Sequence, residues 1–127
     1  MPTRKSLPAV RKSITHRVEI TDPELGSTDF YIIVGLRENG QPGELFIKMG
    51  KAGSTLRGLL DVIGIQTSLL LQYGVPLEIL ADKLTGQRFG PAGATDNPEI
   101  SHCSSAVDYI FRWMKPLAQK PTSRPKK

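Results

Sequence analysis

The sequence has one cysteine, two histidines and 6% aromatic residues, and the few cysteines and histidines limit the disulfides and metal sites that it could form. Because Cys103 is alone, no internal disulfide can form, which suits a reducing compartment and predicts a cytoplasmic protein. Arg57 and Asp61 interrupt the longest apolar stretch, which therefore falls short of the roughly 18 apolar residues of a membrane span. The N-terminal residues MPTRKSLPAV lack the apolar segment of a secretory signal.

The net positive charge of the chain comes from its two ends. The net charge is +5, but residues 14–114 hold 8 basic and 12 acidic residues, a net charge of −4. We therefore predict one domain at 14–114 between basic, disordered tails at 1–13 and 115–127. The tails either keep the protein soluble or make weak electrostatic contact with nucleic acid or another polyanion.

The first half of the chain has the pattern of an antiparallel sheet. Ile14–Ile20 alternates apolar and polar residues, as in a half-buried strand. Phe30–Leu36 is β-branched and aromatic, which predicts a strand buried on both faces, and Asn39-Gly40 predicts a hairpin turn into a returning strand at Glu44–Met49.

The second half has helical periodicity. Helices are predicted at about Thr55–Tyr73, Pro76–Leu84 and Ser101–Met114, with a Gly/Pro-rich loop at Gln87–Pro98. The fold class is therefore α+β, with an antiparallel sheet of about three strands packed by about three helices. The first helix is apolar around most of its circumference, which predicts burial against the sheet and a second layer or subunit, and hence a homo-oligomer.

The segment between the third strand and the first helix is the best candidate binding site. A glycine-rich loop at a helix N-terminus gathers free N–H groups that favour an anion, and nearby cations add to this. Arg88 could clamp a phosphate while Phe89 stacks on a base. The alternatives are an ordinary helix cap, and Phe89 in the core beside a surface Arg88. The predicted ligand-binding residues are Lys48, Gly50, Lys51, Gly53, Ser54, Thr55, Arg57, Arg88 and Phe89.

The sequence gives little support for a P-loop, a catalytic triad or a metal site. The glycine–lysine spacing is not that of a phosphate-binding P-loop, and two histidines with many serines do not establish a catalytic triad. A metal site would need His16 to fold back onto adjacent His102 and Cys103, so neither a metal nor a cofactor is predicted.

Four stretches between Leu7 and Met114 resemble one known family: PGELFIKMGKAGST, SLLLQYGVPLEILADKL, GQRFGPAG and CSSAVDYIFRWM. They are similar to the TSCPD domain, the small C-terminal domain of cobalamin-dependent (class II) ribonucleotide reductases. The resemblance implies that the family's two cysteines are replaced here by Phe89 and Ala106, so a thiolate metal site should be lost. The radical barrel and the redox cysteine pair of a reductase are also lacking, so no ribonucleotide reduction is expected.

The resemblance to a family of nucleotide metabolism makes a nucleotide the expected ligand. We therefore expect a non-catalytic binding protein for a nucleotide or nucleotide-derived phosphate ligand, of a phage or bacterial type that could sequester a signalling nucleotide. The alternatives are an accessory or regulatory subunit of a ribonucleotide reductase, and a small nucleotide-processing enzyme.

Overall fold

A computed structural model of the chain describes residues 3–49 and 55–118. It confirms an α+β fold with an antiparallel sheet and three helices, in which the sheet has five strands in the order β3-β2-β1-β4-β5. The elements are β1 (Ser13–Asp22), β2 (Gly26–Leu36), β3 (Pro42–Met49), α1 (Thr55–Gln72), α2 (Leu77–Leu84), β4 (Gly93–Thr95), a 3₁₀ turn (Pro98–Ile100), β5 (His102–Cys103) and α3 (Ala106–Ala118).

One face of the sheet carries the core and the other is open. Alternate residues of the three long strands are almost completely buried, including Val18, Ile32 and Leu45. On the opposite face of β2 and β3, Tyr31 and Phe46 are more than 40% exposed. The prediction that Phe30–Leu36 is buried on both faces is therefore wrong, because all three helices lie on one side of the sheet and an antiparallel sheet can leave its other side to solvent.

Helix α1 covers the outer edge of β3. Ser68 Oγ accepts from the Leu45 N–H (2.8 Å) and donates to the Leu45 carbonyl (3.2 Å), and Gln72 Nε2 donates to the Gly43 carbonyl (3.0 Å). Between them, Gly64 lets the helix approach the Leu45 carbonyl more closely than a side chain would allow. The polar residues of this apolar helix thus satisfy backbone groups of an edge strand, which would otherwise be open to pairing.

Helices α2 and α3 pack on each other and complete the layer. α3 begins at Ala106 rather than at the predicted Ser101, because Ser105 Oγ accepts from the Asp108 N–H (2.9 Å) as an N-terminal cap. Residues 102 and 103 instead form β5, and α3 continues past its predicted end at Met114, with Pro116 inside it. A proline near a helix C-terminus removes a single hydrogen bond, so the helix continues to Ala118.

Residues before β1 contact the body of the fold. Arg4 Nε donates to Gln72 Oε1 (2.7 Å), the Lys5 N–H donates to the Gln72 carbonyl (2.9 Å), and Arg11 pairs with the nearly buried Glu44. The domain boundary after residue 13 stays a prediction. At the other end, residues 115–118 of the predicted C-terminal tail belong to α3, and residues 119–127 lie outside the described residues. None of the helices in the described part of the chain has the length and hydrophobicity needed to cross a membrane.

Candidate functional site

The segment predicted to bind an anion is only partly described. Lys48 is exposed on the open face of β3, and Thr55 and Arg57 are exposed in the first turn of α1. Gly50, Lys51, Gly53 and Ser54 lie outside the described residues. The strand and helix that flank the loop are where the sequence places them.

Arg88 and Phe89 lie on an exposed loop that follows α2. The Phe89 N–H donates to the Ser104 carbonyl (3.1 Å), and Ser104 Oγ donates to the Gln87 carbonyl (2.8 Å). These two bonds tie the loop to the turn between β5 and α3. The Phe89 ring is 46% exposed, so it lies on the surface and not in the core.

A shallow pocket of about 430 Å³ lies beside this loop, and we call it the Arg88 pocket. It joins α2, the loop, β5 and α3, and it holds two guanidinium groups, an imidazole and two hydroxyls. Among the described residues, Arg88 has no ion pair, so its charge is available to a ligand. The pocket is lined by Thr85, Arg88, His102, Cys103, Ser104, Asp108 and Arg112.

Asp108 holds three segments that line or adjoin this pocket in place through hydrogen bonds. Its side chain is nearly buried and accepts from the Gly86 N–H (2.8 Å), the Ser104 N–H (3.0 Å) and Arg112 Nη1 (3.1 Å). Burial works to raise the pKa of Asp108, but the two backbone donors and Arg112 outweigh it and hold the pKa below its usual value. Asp108 is therefore an ionised anchor that shapes the pocket, and Arg112 neutralises it.

Cys103 lies at the rim of the same pocket but is 7% exposed. Burial is the main cause that raises the pKa of its thiol. The thiol form therefore dominates at neutral pH, which makes Cys103 a poor nucleophile and a poor metal ligand.

The two parts of the predicted site lie far apart. Lys48 is on β3 and the Arg88 loop is bonded beside β5, and these strands are opposite edges of the sheet. Four strand spacings of about 4.8 Å separate them by roughly 19 Å. The structure does not bring Lys48 and Arg88 together in one chain. It instead places Arg88 next to Thr85, Ser104 and Arg112, which sequence reasoning did not select because their proximity depends on how α2 and α3 pack.

His16 belongs to a separate polar cluster that sequence analysis missed. Its Nε2 lies 2.7 Å from Tyr109 Oη, which also accepts from Asn97 Nδ2 (2.9 Å), and its ring stacks on Trp113 with centroids 4.8 Å apart. His16 is thus engaged away from His102 and Cys103. In the described ranges, no group of three or more His, Cys, Asp and Glu side chains is arranged to hold a metal ion.

The His16 cluster predicts a pH dependence of stability. Burial lowers the pKa of His16, with Asp96 acting weakly against it. The unfolded chain then takes up more protons than the folded chain as pH falls below about 6.5, so folding stability decreases in that direction. We expect the free energy of unfolding to decrease between pH 7.5 and 5.5, and to decrease much less in His16→Gln. Urea denaturation at both pH values measures this, with His102→Gln as the control. Equal pH dependence in all three proteins would contradict the assignment.

Comparison with known proteins places the chain in a family. The model of the TSCPD domain matches residues 3–118. The chain belongs to the TSCPD domain family. This TSCPD domain is 45% identical over 113 residues to a vitamin B12-dependent ribonucleotide reductase of Rhodopirellula baltica, covering 89% of this chain and 10% of the relative. It is 45% identical over 111 residues to that of Streptantibioticus cattleyicolor (87% and 18%) and 38% identical over 113 residues to that of Bradyrhizobium diazoefficiens (88% and 9%). No solved structure gives a significant match.

The matched region is only a small share of each relative, which limits what the sequence identity implies about function. The TSCPD domain spans about a tenth to a fifth of the length of these relatives, so it corresponds to a fragment of a reductase. The catalytic barrel of those enzymes has no counterpart in the matched region. The reductase activity in the relatives' names therefore belongs to them as whole proteins.

Proposed function

We propose that this TSCPD domain is a non-catalytic binding protein for a nucleotide or a nucleotide-derived phosphate ligand. The Arg88 pocket is the observation that carries the proposal. It is a shallow depression of about 430 Å³ that brings the hydrogen-bonding side chains of Thr85, Arg88, Ser104 and Arg112 to one surface. Family membership supports a ligand from nucleotide chemistry, because the relatives are ribonucleotide reductases.

The charges of the pocket favour an anion. Arg88 has no carboxylate partner among the described residues, and the one carboxylate in the pocket, Asp108, is nearly buried and already paired with Arg112. A guanidinium can donate two parallel hydrogen bonds to a phosphate, and the Thr85 and Ser104 hydroxyls lie on the same rim. Phe89, exposed on the adjoining loop, offers a face on which a base can stack.

The lack of catalysis is also part of the proposal. A nucleophile needs a general base within hydrogen-bond reach, and none of the described hydroxyls or thiols is hydrogen-bonded to the imidazole of His102 in the pocket. Asp108 is held ionised by three donors, and Cys103 is kept as a thiol by burial. The arrangement supports binding and release without a covalent step. A purified protein that turns over any nucleotide would overturn this part.

The proposal predicts that Arg88→Ala weakens nucleotide binding by roughly tenfold to a hundredfold, because a charge-assisted hydrogen bond contributes about 1.5–3 kcal/mol. Folding should be unchanged, since Arg88 is exposed. Calorimetry with ribonucleotides, deoxyribonucleotides, cyclic nucleotides and pyrophosphate measures the dissociation constants. Arg17→Ala, which removes an exposed arginine on the open sheet face, is the matched control.

A second variant separates the two candidate sites. If the phosphate lies in the Arg88 pocket, Lys51→Ala should leave the dissociation constant within about twofold of wild type. If Lys51→Ala weakens binding and Arg88→Ala does not, the ligand lies at the loop between β3 and α1. If no nucleotide binds, or if neither substitution matters, the proposed function is wrong.

A second candidate function is an accessory or regulatory subunit of a ribonucleotide reductase. The observation that favours it is 45% identity to a segment that vitamin B12-dependent reductases carry as part of their own chain. Such a protein should co-elute with an intact B12-dependent reductase and change its turnover. Absence of both effects at micromolar concentrations of the two proteins would exclude this candidate.

A further inference from the structure

Helix α1 has a third side that nothing in the described chain covers. With 100° between successive residues, one side faces the core through Leu60 and Leu71, and a second faces the β3 edge through Gly64 and Ser68. The third side points outward, and we call it the α1 outer face. Its large side chains are 39–61% exposed: Leu59, Val62, Ile65, Leu69, Leu70 and Tyr73.

The exposed apolar area of this face is large for a single chain of this size. Six side chains about half exposed present roughly 600 Å², at about 200 Å² for one fully exposed large side chain. That equals the upper end of the roughly 300–600 Å² found for the largest apolar patch of a typical monomer. It also approaches the roughly 800 Å² that each partner contributes to a standard interface.

The composition of the face suits burial against protein. The charged residues of α1 are Arg57 and Asp61; Asp61 lines a groove against β3 together with Gly64 and Ile65, and helical spacing puts Arg57 one turn before Asp61 on the same side. The outer face itself contains Gln66 as its polar residue, surrounded by apolar side chains. A docking partner for this face must therefore be apolar and uncharged over a strip about four helical turns long.

The outer face is also self-complementary. Gln66 lies at the centre of this face, with exposed Leu59 and Val62 before it and exposed Leu69, Leu70 and Tyr73 after it. When two identical helices run antiparallel and cross at Gln66, each residue meets its counterpart on the other helix. Two pairs of exposed outer-face side chains then face each other, Leu59 with Tyr73 and Val62 with Leu70.

We propose that two copies of this protein pair through their α1 outer faces, antiparallel about a two-fold axis at Gln66. The exposed area, which approaches the contribution of one partner to a standard interface, and the placement of apolar side chains on both sides of Gln66 support a second copy. Across the axis the two Gln66 amides can donate to and accept from each other. Pairing through the β3 edge is not available, because α1 already occupies the backbone groups of Gly43 and Leu45 there. This inference does not depend on the proposed ligand.

The mass in solution is the direct test. Sedimentation of the full chain should give about twice the 13.9 kDa chain mass at micromolar concentration. Val62→Asp should raise the dimer dissociation constant at least about a hundredfold, because the two-fold axis places two unpaired carboxylates in the interface. Ile79→Asp, which changes a 52% exposed apolar residue on α2, is the matched control and should stay dimeric. Helical circular dichroism shows whether each variant is folded.

The antiparallel register has its own test. In this arrangement residue 62 faces residue 70 of the other copy, so Val62→Lys and Leu70→Glu should each disrupt the dimer while the double variant recovers most of it. A wild-type monomer at about 100 μM, or a dimer indifferent to Val62→Asp, overturns the proposal. If the double variant does not recover the dimer, the antiparallel register is wrong. If the wild type is monomeric and the α1 variants instead lose co-elution with a B12-dependent reductase, the face binds the reductase and the proposal is wrong.

Discussion

Replacing Gly64 by valine should destabilise the domain by about 3–5 kcal/mol, from overpacking and broken hydrogen bonds together. A Cβ at this position would lie 2.9 Å from the Leu45 carbonyl oxygen and 3.7 Å from Phe46 Cα. Both are backbone atoms of a paired strand, so neither can move aside as a flexible side chain would. The helix must then retreat from β3, and Ser68 loses its bonds to Leu45.

The matched control is Gly58→Ala in the same helix, where a new Cβ meets nothing within 4 Å. That change should stabilise the protein by about 0.5–1 kcal/mol, because alanine has the higher helix propensity. Urea denaturation of both variants at one protein concentration measures the opposite signs. If Gly64→Val is no worse than about 1 kcal/mol, α1 does not lie against the β3 edge as the structure has it.

Gly64 also shows where sequence reasoning succeeded and where it stopped. Glycines in an apolar helix predict close backbone approach at Gly58 and Gly64, which is correct for Gly64 against Leu45 and wrong for Gly58, where a Cβ would meet nothing within 4 Å. Ser68 and Gln72 gave no comparable signal, because their partners are backbone groups of a distant strand. A polar residue on the buried side of a helix predicts a hydrogen bond, but the sequence does not identify the partner.

The long strands and helices were predictable because their periodicity extends over many residues. β4 and β5 have three and two residues, so neither shows an alternation that can be detected, and β5 was assigned to a helix. The helix starts later because Ser105 caps it, and several serines nearby were equally plausible caps from sequence. β4 forms by pairing with β1, and β5 forms by pairing with β4, so both depend on tertiary structure.

The candidate site was also predictable only in part. The loop chemistry of Arg88 and Phe89 marked an exposed segment, and both residues are exposed. The grouping of Arg88 with Lys48 rested on residue type, and strand order then placed the two at opposite edges of the sheet. What sequence could not supply was the strand order itself, since the loops around β4 carry no signal of which strand it pairs with.

Replacing Asp108 by alanine is the second change with a large expected effect. Asp108 has low exposure and accepts from Gly86, Ser104 and Arg112, so its loss leaves two backbone donors and a guanidinium without their partner. Because Arg112 is 38% exposed, the main cost is that of the two backbone donors left unpaired, about 2–4 kcal/mol. That lowers the melting temperature by roughly 8–16 °C for a domain of this size. Asp82→Ala is the control, because this 66% exposed partner of Lys115 should contribute less than about 1 kcal/mol.

The acid side of the stability curve tests the same group independently. The folded pKa of Asp108 is held below its unfolded value, so its contribution is present above about pH 4 and is lost as pH falls through the folded pKa. Asp108→Asn keeps an acceptor of the same shape but cannot titrate. We expect it to fall between wild type and Asp108→Ala at pH 7, and to approach wild type in stability near pH 3. Asp22 also titrates below its usual range, but it is present in all three proteins and cancels in the comparison. If the gap between wild type and Asp108→Asn stays constant down to pH 3, the charge of Asp108 does not hold this corner of the fold together.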